Sequence, residues 1–426
     1  MPEQNAYRIL NIRKGAAEKE IKQAYVDLVK KYDPELHTER FMVIQQAYEK
    51  LRDPKRRARE DIFTYNFVRG EFSFSQEERT DKPDAEIRQQ VKILEEKLRD
   101  NLKDDETKRL LIHCYMQLSW KSVHKKLWAE AIQQWVNVLN LDPTHLRAKN
   151  NIIYSYITLG YSYAMHGLNA EAVDYWEKAL QMNPDNPDIV HNLAIACEQN
   201  GDKTRAEKYW AATLKHWKFL LDQNPDDEYI KHCIVELHKH HGGKALDVSK
   251  DSKSALDEYR EILKITPNDF DAHYQIAATF MEEQKWDEAV EELKNLNRLH
   301  AKNIEVMNLL GWALLNGGQV DAAFTTWRKA LAVDPKNYST KDNIIRAHLS
   351  LGKKLRENGL YTPALVHFKA LLKYLPKSAE IHFEIGTTYL MKADYRSALN
   401  EFNVVLELDP RNKLAKKAIS EMKLRR

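Results

Sequence analysis

Cys233, Glu236 and His240 are spaced three and four residues apart. On one helix face they would present a thiol, a carboxylate and an imidazole, the side chains a zinc ion takes. His232, His238 and His241 crowd the same stretch. No recognisable ligand pair recurs, and helical surfaces carry histidines freely, so no metal site is expected. Gly242-Gly243 reads as a close crossing of two helices and not as a phosphate cradle. HExxH, GxSxG and paired-cysteine zinc signatures are missing from the sequence, and nothing marks a general acid/base pair. The expectation is a non-enzymatic chain with no catalytic residue and no cofactor. What remains is the chemistry of recognition, carried by aromatic, methionine and amide side chains.

The elements that position those side chains follow from a repeated phrase. Asp321 to Pro335, DAAFTTWRKALAVDP, is an amphipathic helix with Ala323, Trp327, Ala330 and Leu331 on one face. Pro335 stops it, because proline donates no N–H and restricts the residue before it. The 12-residue step from alanine to proline recurs at Ala131, Ala172, Ala255, Ala364 and Ala398 (143 − 131 = 12, and likewise for the others). A large side chain follows four residues after each: Trp135, Trp176, Tyr259, Trp327, Phe368, Phe402. Weaker copies start at Ala206 and Ala289. Small residues stand twelve positions before the anchors: Ser119, Gly160, Ala194, Gly243, Ala277, Gly311, Gly352 and Gly386. With anchors 34 residues apart in four cases (206 − 172, 289 − 255, 323 − 289, 398 − 364), the ladder resembles the tetratricopeptide repeat.

That resemblance implies a right-handed α-solenoid of about eight helical hairpins, the first helix of each lining an inner groove. Counting back from the anchors places Met116, Trp120, Tyr154, Tyr161, Met165, Tyr274, Met281, Trp312, Phe383 and Met391 there. Such residues supply large, adaptable contact area. Asn192 and Asn308 share the inner positions, and an amide can hold an extended backbone through donor and acceptor together. Some of these side chains would instead pack on the neighbouring repeat. A clamp for acidic C-terminal tails is not expected, since its positions read Ile157/Tyr161, Asn192 and Leu237/His241, where only the asparagine fits.

Two anchor spacings are 41 (172 − 131, 364 − 323), seven residues or about two helical turns more than 34. The excess predicts a long first helix in those repeats. A constant offset of 192 relates Ala131/Ala323, Ala172/Ala364 and Ala206/Ala398, which reads as duplication of a three-repeat block. Residues 217–248 form an irregular joint.

Residues 1–66 depart from the ladder. Apolar side chains at 21, 25, 28 and 32 make one helix face, and those at 41, 44, 48 and 51 another. With Tyr7-Arg8-Ile9-Leu10 before them and Asp53-Pro54 after, the segment resembles a J domain, a co-chaperone module. The family's loop reads His-Pro-Asp and engages a DnaK-type ATPase; the matching residues here are Asp33, Pro34 and Glu35. Asp33 replaces a donor with an acceptor-only anion, and Val26 and Asp27 stand where basic residues are usual beside Lys19, Lys22, Lys30 and Lys31. ATPase stimulation is therefore expected to be weak or lost.

The expected organisation is all-α: a J-like module at 1–66, a linker at 67–83, and the solenoid at 84–426. Phe67, Phe72 and Phe74 in the linker are expected to pin the module to the first solenoid helices; a short partner-binding motif is the alternative. Asp84 is expected to cap the next helix. Three separated cysteines, no signal-peptide core and no long apolar run point to a cytoplasmic chain with no membrane association. The net charge of +3 argues against nucleic acid. The leading expectation is a co-chaperone-type adaptor holding a protein or peptide partner. An active co-chaperone delivering clients to a DnaK-type chaperone, and an RNA-binding solenoid, are the alternatives.

Overall fold

The computed structural model describes residues 6–67 and 70–424, all of them in helices, turns or irregular chain. The N-terminal module is built of α1 (Ala6–Ile9), α2 (Glu18–Lys31), α3 (Thr38–Leu51) and α4 (Pro54–Asp61). Ile21, Ile44, Ala47 and Leu51 are buried, and Tyr25 stacks on Tyr48 at 4.2 Å, so α2 and α3 share the core their apolar faces predict. Asp53 starts α4 by accepting from Arg56 N, with Pro54 in the first turn, where its missing N–H costs nothing.

The rest is a succession of helices: α5 (Asp84–Asp100), α6 (Asp105–His124), α7 (Trp128–Leu141), α8 (Leu146–Met165), α9 (Asn169–Met182), α10 (Pro187–Gln199), α11 (Lys203–Gln223) and α12 (Glu228–Lys244). After a π-helical turn at Ala245–Ser249 come α13 (Ser252–Ile265), α14 (Phe270–Glu282), α15 (Trp286–Leu299), α16 (Ile304–Asn316) and α17 (Val320–Val333). The last are α18 (Tyr338–Glu357), α19 (Tyr361–Leu371), α20 (Ala379–Met391), α21 (Tyr395–Leu408) and α22 (Lys413–Leu424). Two compact units divide between Leu237 and His238. Among the described residues, no helix is long and apolar enough to cross a membrane.

The anchors carry the hairpin crossings. Ala131, Ala172, Ala255, Ala323, Ala364 and Ala398 are fully buried, as are Trp135, Trp176, Trp327, Phe368 and Phe402. The indoles of Trp176 and Trp327 donate to the carbonyls of Ile157 and Asn308, each 19 residues back, at 3.2 and 3.3 Å. A Cβ on Gly160 would lie 2.5 Å from the Trp176 ring, so the small residue is what lets the helices meet. The long first helices are present: α8 and α18 have 20 residues each, against 13 in α10, α14, α16 and α20.

Two local expectations are corrected. Asp84 is the first residue of α5 and not its cap, which is Pro83; its carboxylate instead takes Lys125 at 2.5 Å and Lys121 at 3.5 Å, and those lysines hold its pKa down. The small residue facing Tyr259 is Gly242, not Gly243, whose Cβ position meets nothing within 4 Å. The π turn between α12 and α13 explains the slip, because each π turn takes in one extra residue. Side-chain pairing slips equally: His273–Glu292 and His382–Glu401 are 19 apart, but His238–Glu258 are 20 apart.

Candidate functional site

The inner positions of the N-terminal unit are already in use. Residues 65–67 and 70–78, which follow α4, run along the first helices of successive repeats as a strap. Asn192 Oδ1 accepts from the backbone N of Asn66 at 2.6 Å, and Asn192 Nδ2 donates to the Asn66 carbonyl at 2.8 Å. Asn151 repeats the grip on Ser73, at 2.8 and 3.1 Å, and Gln117 donates to the Glu77 carbonyl at 3.1 Å. Asn151 and Asn192 are both the sixth residue of their helices, α8 and α10. Each amide satisfies a peptide unit that no neighbouring strand pairs with, and each is itself buried.

Aromatic side chains bracket this grip. Phe72 stacks between Trp128 and Trp135 at 5.7 Å from each, with Tyr154 edge-on at 4.9 Å. Phe74 lies against Trp135, and Phe67 meets Tyr161 at 5.2 Å with the Arg8 guanidinium over its ring. Gly70 passes so close to Tyr154 that a Cβ would fall 2.5 Å from its ring. Tyr65 bonds Asn169 and Gln199, and the buried Glu78 pairs with Arg147 at 2.9 Å.

The N-terminal module docks through a second set of contacts. Its Asp61 carboxylate accepts from Tyr229 at 2.9 Å and from Tyr7. Lys14 Nζ donates to the Asp61 carbonyl at 2.6 Å, and Arg57 lies 3.9 Å over the Tyr229 ring while donating to the Ala16 carbonyl. His191 bonds the Ile62 carbonyl at 3.0 Å, and Arg59 reaches Glu236 at 3.4 Å. Burial raises the Asp61 pKa, with Lys14 and the tyrosine hydroxyls opposing it. Burial lowers Lys14 to about 8 and keeps His191 neutral. An open cleft of about 1440 Å³ lies beside this network. The face of Cys233 and Glu236 is thus a docking face and not a metal face, with Cys233 packed on Ala58 and Ile62 and its thiol pushed up to about 12 by burial.

Asp33, Pro34 and Glu35 are exposed, as are Lys19, Lys22, Lys30 and Lys31. Asp33 Oδ1 accepts from the Glu35 backbone N at 2.8 Å, so the aspartate stabilises its own turn.

The other inner-face residues divide by what they touch. Met116 is fully buried in the core beneath α6 and is no groove residue, a correction to the count from the anchors. Trp120 packs on His124, Trp312 on Trp327, and Phe383 on Phe402, all half-buried. Tyr274 stacks near Phe270 and reaches Glu305 at 3.4 Å. Met165 and Met391 are exposed and Met281 is half-buried. Asn308 is half-buried, its Oδ1 without a partner. Asn151 and Gln117 escaped the count; the signal for Asn151 was the amide it shares with Asn192 at the sixth helical position, hidden by the longer helix.

Comparison with known proteins matches residues 5–61 to the DnaJ domain and residues 164–216 to the tetratricopeptide repeat. The chain joins a DnaJ domain to tetratricopeptide repeats. Relatives share parts of it. The Hsp70-Hsp90 organising protein of Plasmodium falciparum is 30% identical over 156 residues, covering 35% of this chain and 25% of that protein. Chaperone protein DnaJ of Thermotoga maritima is 46% identical over 66 residues, 14% of this chain and 18% of that one. The chain thus spans a quarter or less of these two curated relatives. Among solved structures, YrrB, described as a tetratricopeptide-repeat protein with an unusual peptide-binding site, is 20% identical with TM-score 0.30, covering 48% of this chain and 97% of that one. A repeat protein from Bacteroides fragilis is 16% identical with TM-score 0.34, covering 45% and 99%. These domains are of co-chaperone and adaptor type, and no catalytic family matches among them.

Proposed function

We propose that the chain is a non-enzymatic adaptor of co-chaperone type. Its J domain is held on the N-terminal repeats, and the inner face of the C-terminal unit holds a protein or peptide partner. The carrying observation is the strap: residues 65–67 and 70–78 of the same chain lie on the inner face of the N-terminal unit, with two asparagines on their backbone. A trans partner would have to displace it.

The J domain, docked through Asp61, Arg57 and Arg59, keeps its loop and the lysines of α2 turned to solvent. It therefore remains available to a DnaK-type chaperone, a partner class in keeping with the relatives' names. Asp33 offers such a partner an anion already used within its own turn, and leaving a charge unmatched in an interface costs about 2–5 kcal/mol. Stimulation of the ATPase should accordingly be weak. Steady-state ATPase assays with a DnaK-type chaperone check this. Wild type should raise the rate little, and the double variant Asp33→His with Glu35→Asp should restore it about tenfold or more. Strong stimulation by wild type would favour an active co-chaperone instead.

A further inference from the structure

The offset of 192 residues pairs Asn151 with Asn343, and both are the sixth residue of a 20-residue first helix. In the N-terminal unit that asparagine grips the backbone of Ser73. In the C-terminal unit the Asn343 side chain is half-buried and forms no hydrogen bond among the described residues. The backbone grip is therefore duplicated, but the strap is not.

The walls beside the grip have changed character. Tyr154 and Tyr161, which meet Phe72 and Phe67 of the strap, correspond to Arg346 and Lys353. Ser162 and Ala164 correspond to Lys354 and Arg356. Acidic side chains answer part of this charge. Asp342 pairs with Arg346 at 2.7 Å, and Glu384, which stands where Asn192 does, takes Arg356 and, at 3.5 Å, Lys353. Across α18, Lys341, Arg346, Lys353, Lys354 and Arg356 outnumber Asp342 and Glu357. The surface for a phenylalanine has gone as well: Trp327, the counterpart of Trp135, is covered by Trp312 and Phe324 of its own unit.

We propose that the inner face of α18 binds an extended acidic peptide, its backbone held by Asn343 and its carboxylates set against Arg346 and Lys353, where the strap sets phenylalanines against Tyr154 and Tyr161. This deepens the adaptor reading by naming the partner's chemistry, and rests on it. A carboxylate can share Arg346 with Asp342 and Lys353 with Glu384, whereas an aromatic ring would meet charged side chains it cannot satisfy. The grip recognises an internal peptide unit, so a free C-terminus is not required.

The test uses the full chain and two C-terminally amidated peptides. One copies residues 65–78; the other carries glutamate in place of Phe67 and Phe72. Fluorescence anisotropy at low salt should show saturable binding of the glutamate peptide, weakened by added salt. Asn343→Ala, and separately Lys353→Glu, should weaken it about tenfold or more, with Lys294→Glu on the exposed face of α15 leaving it unchanged. Circular dichroism of each variant controls for folding. Preferential binding of the phenylalanine peptide at Asn343 would overturn the proposal while leaving the adaptor reading in place. Glutamate-peptide binding lost in Asn151→Ala but kept in Asn343→Ala would overturn it too. No binding of either peptide would remove both.

Discussion

The N-terminal and C-terminal units are built on one scheme and put it to different use. Both cross their helices over a buried tryptophan bonded to a carbonyl 19 residues back, and both carry an asparagine at the sixth position of a long first helix. One unit lines that helix with tyrosines and covers it with its own chain; the other lines it with arginine and lysine. The difference teaches that the hairpin scaffold fixes where a backbone can be held. The side chains one and about three turns along decide which backbone is accepted.

The largest effect should come from what the units share. Trp176→Ala and Trp327→Ala each empty a fully buried crossing, at a cost of about 3–5 kcal/mol. Thermal unfolding should show comparable losses in the two variants. A large loss in one alone would break the equivalence of the crossings.

What separates the units is the strap. Asn151→Ala with Asn192→Ala leaves two gripped peptide units unpaired, at about 1–3 kcal/mol for each grip. Limited proteolysis should then cut between residues 65 and 78 faster than in wild type, with Asn343→Ala unchanged. Equal cutting rates in all three chains would remove the strap from the comparison.

A smaller difference is in response to acid. In the C-terminal unit His348 stacks on Phe324 at 4.0 Å and meets His367 Nδ1 at 2.9 Å, where the N-terminal unit places Tyr156 and Tyr175. Burial, followed by the His367 and Arg328 charges, lowers His348 from 6.5 to about 4. Between those values the unfolded chain takes up a proton that the folded chain refuses, so stability falls as pH drops from 6.5 toward 4. Partial exposure limits the loss to about 1–2 kcal/mol. Denaturant titrations at pH 7 and pH 4.5 should show this loss in wild type and a reduced one in His348→Gln. An unchanged pH dependence in the variant would assign it to other groups.

The fold was legible because its grammar is local. The alanine anchors, the ring four residues on and the proline stop each follow from packing one helix on the next. The small residue was misplaced by one at Gly243 because a π turn leaves no mark in composition. Met116 was placed in the groove because spacing gives a face only approximately, and its side chain points into the core under α6. Asn192 was legible as a backbone-holding residue. That it holds Asn66, 126 residues earlier, depends on a pairing between distant segments that no local pattern encodes. The docking of Asp61 on Tyr229 was hidden for the same reason, since each looks like an ordinary surface residue in its own helix.

Amide hydrogen exchange on the intact chain tests the central claim most directly. If the N-terminal unit is occupied by its own strap, the amides of Asn66 and Ser73 should be protected in wild type, and both should exchange freely once Asn151 and Asn192 are alanine. Exchange of these two amides at the rate of an unstructured chain in wild type would contradict the account.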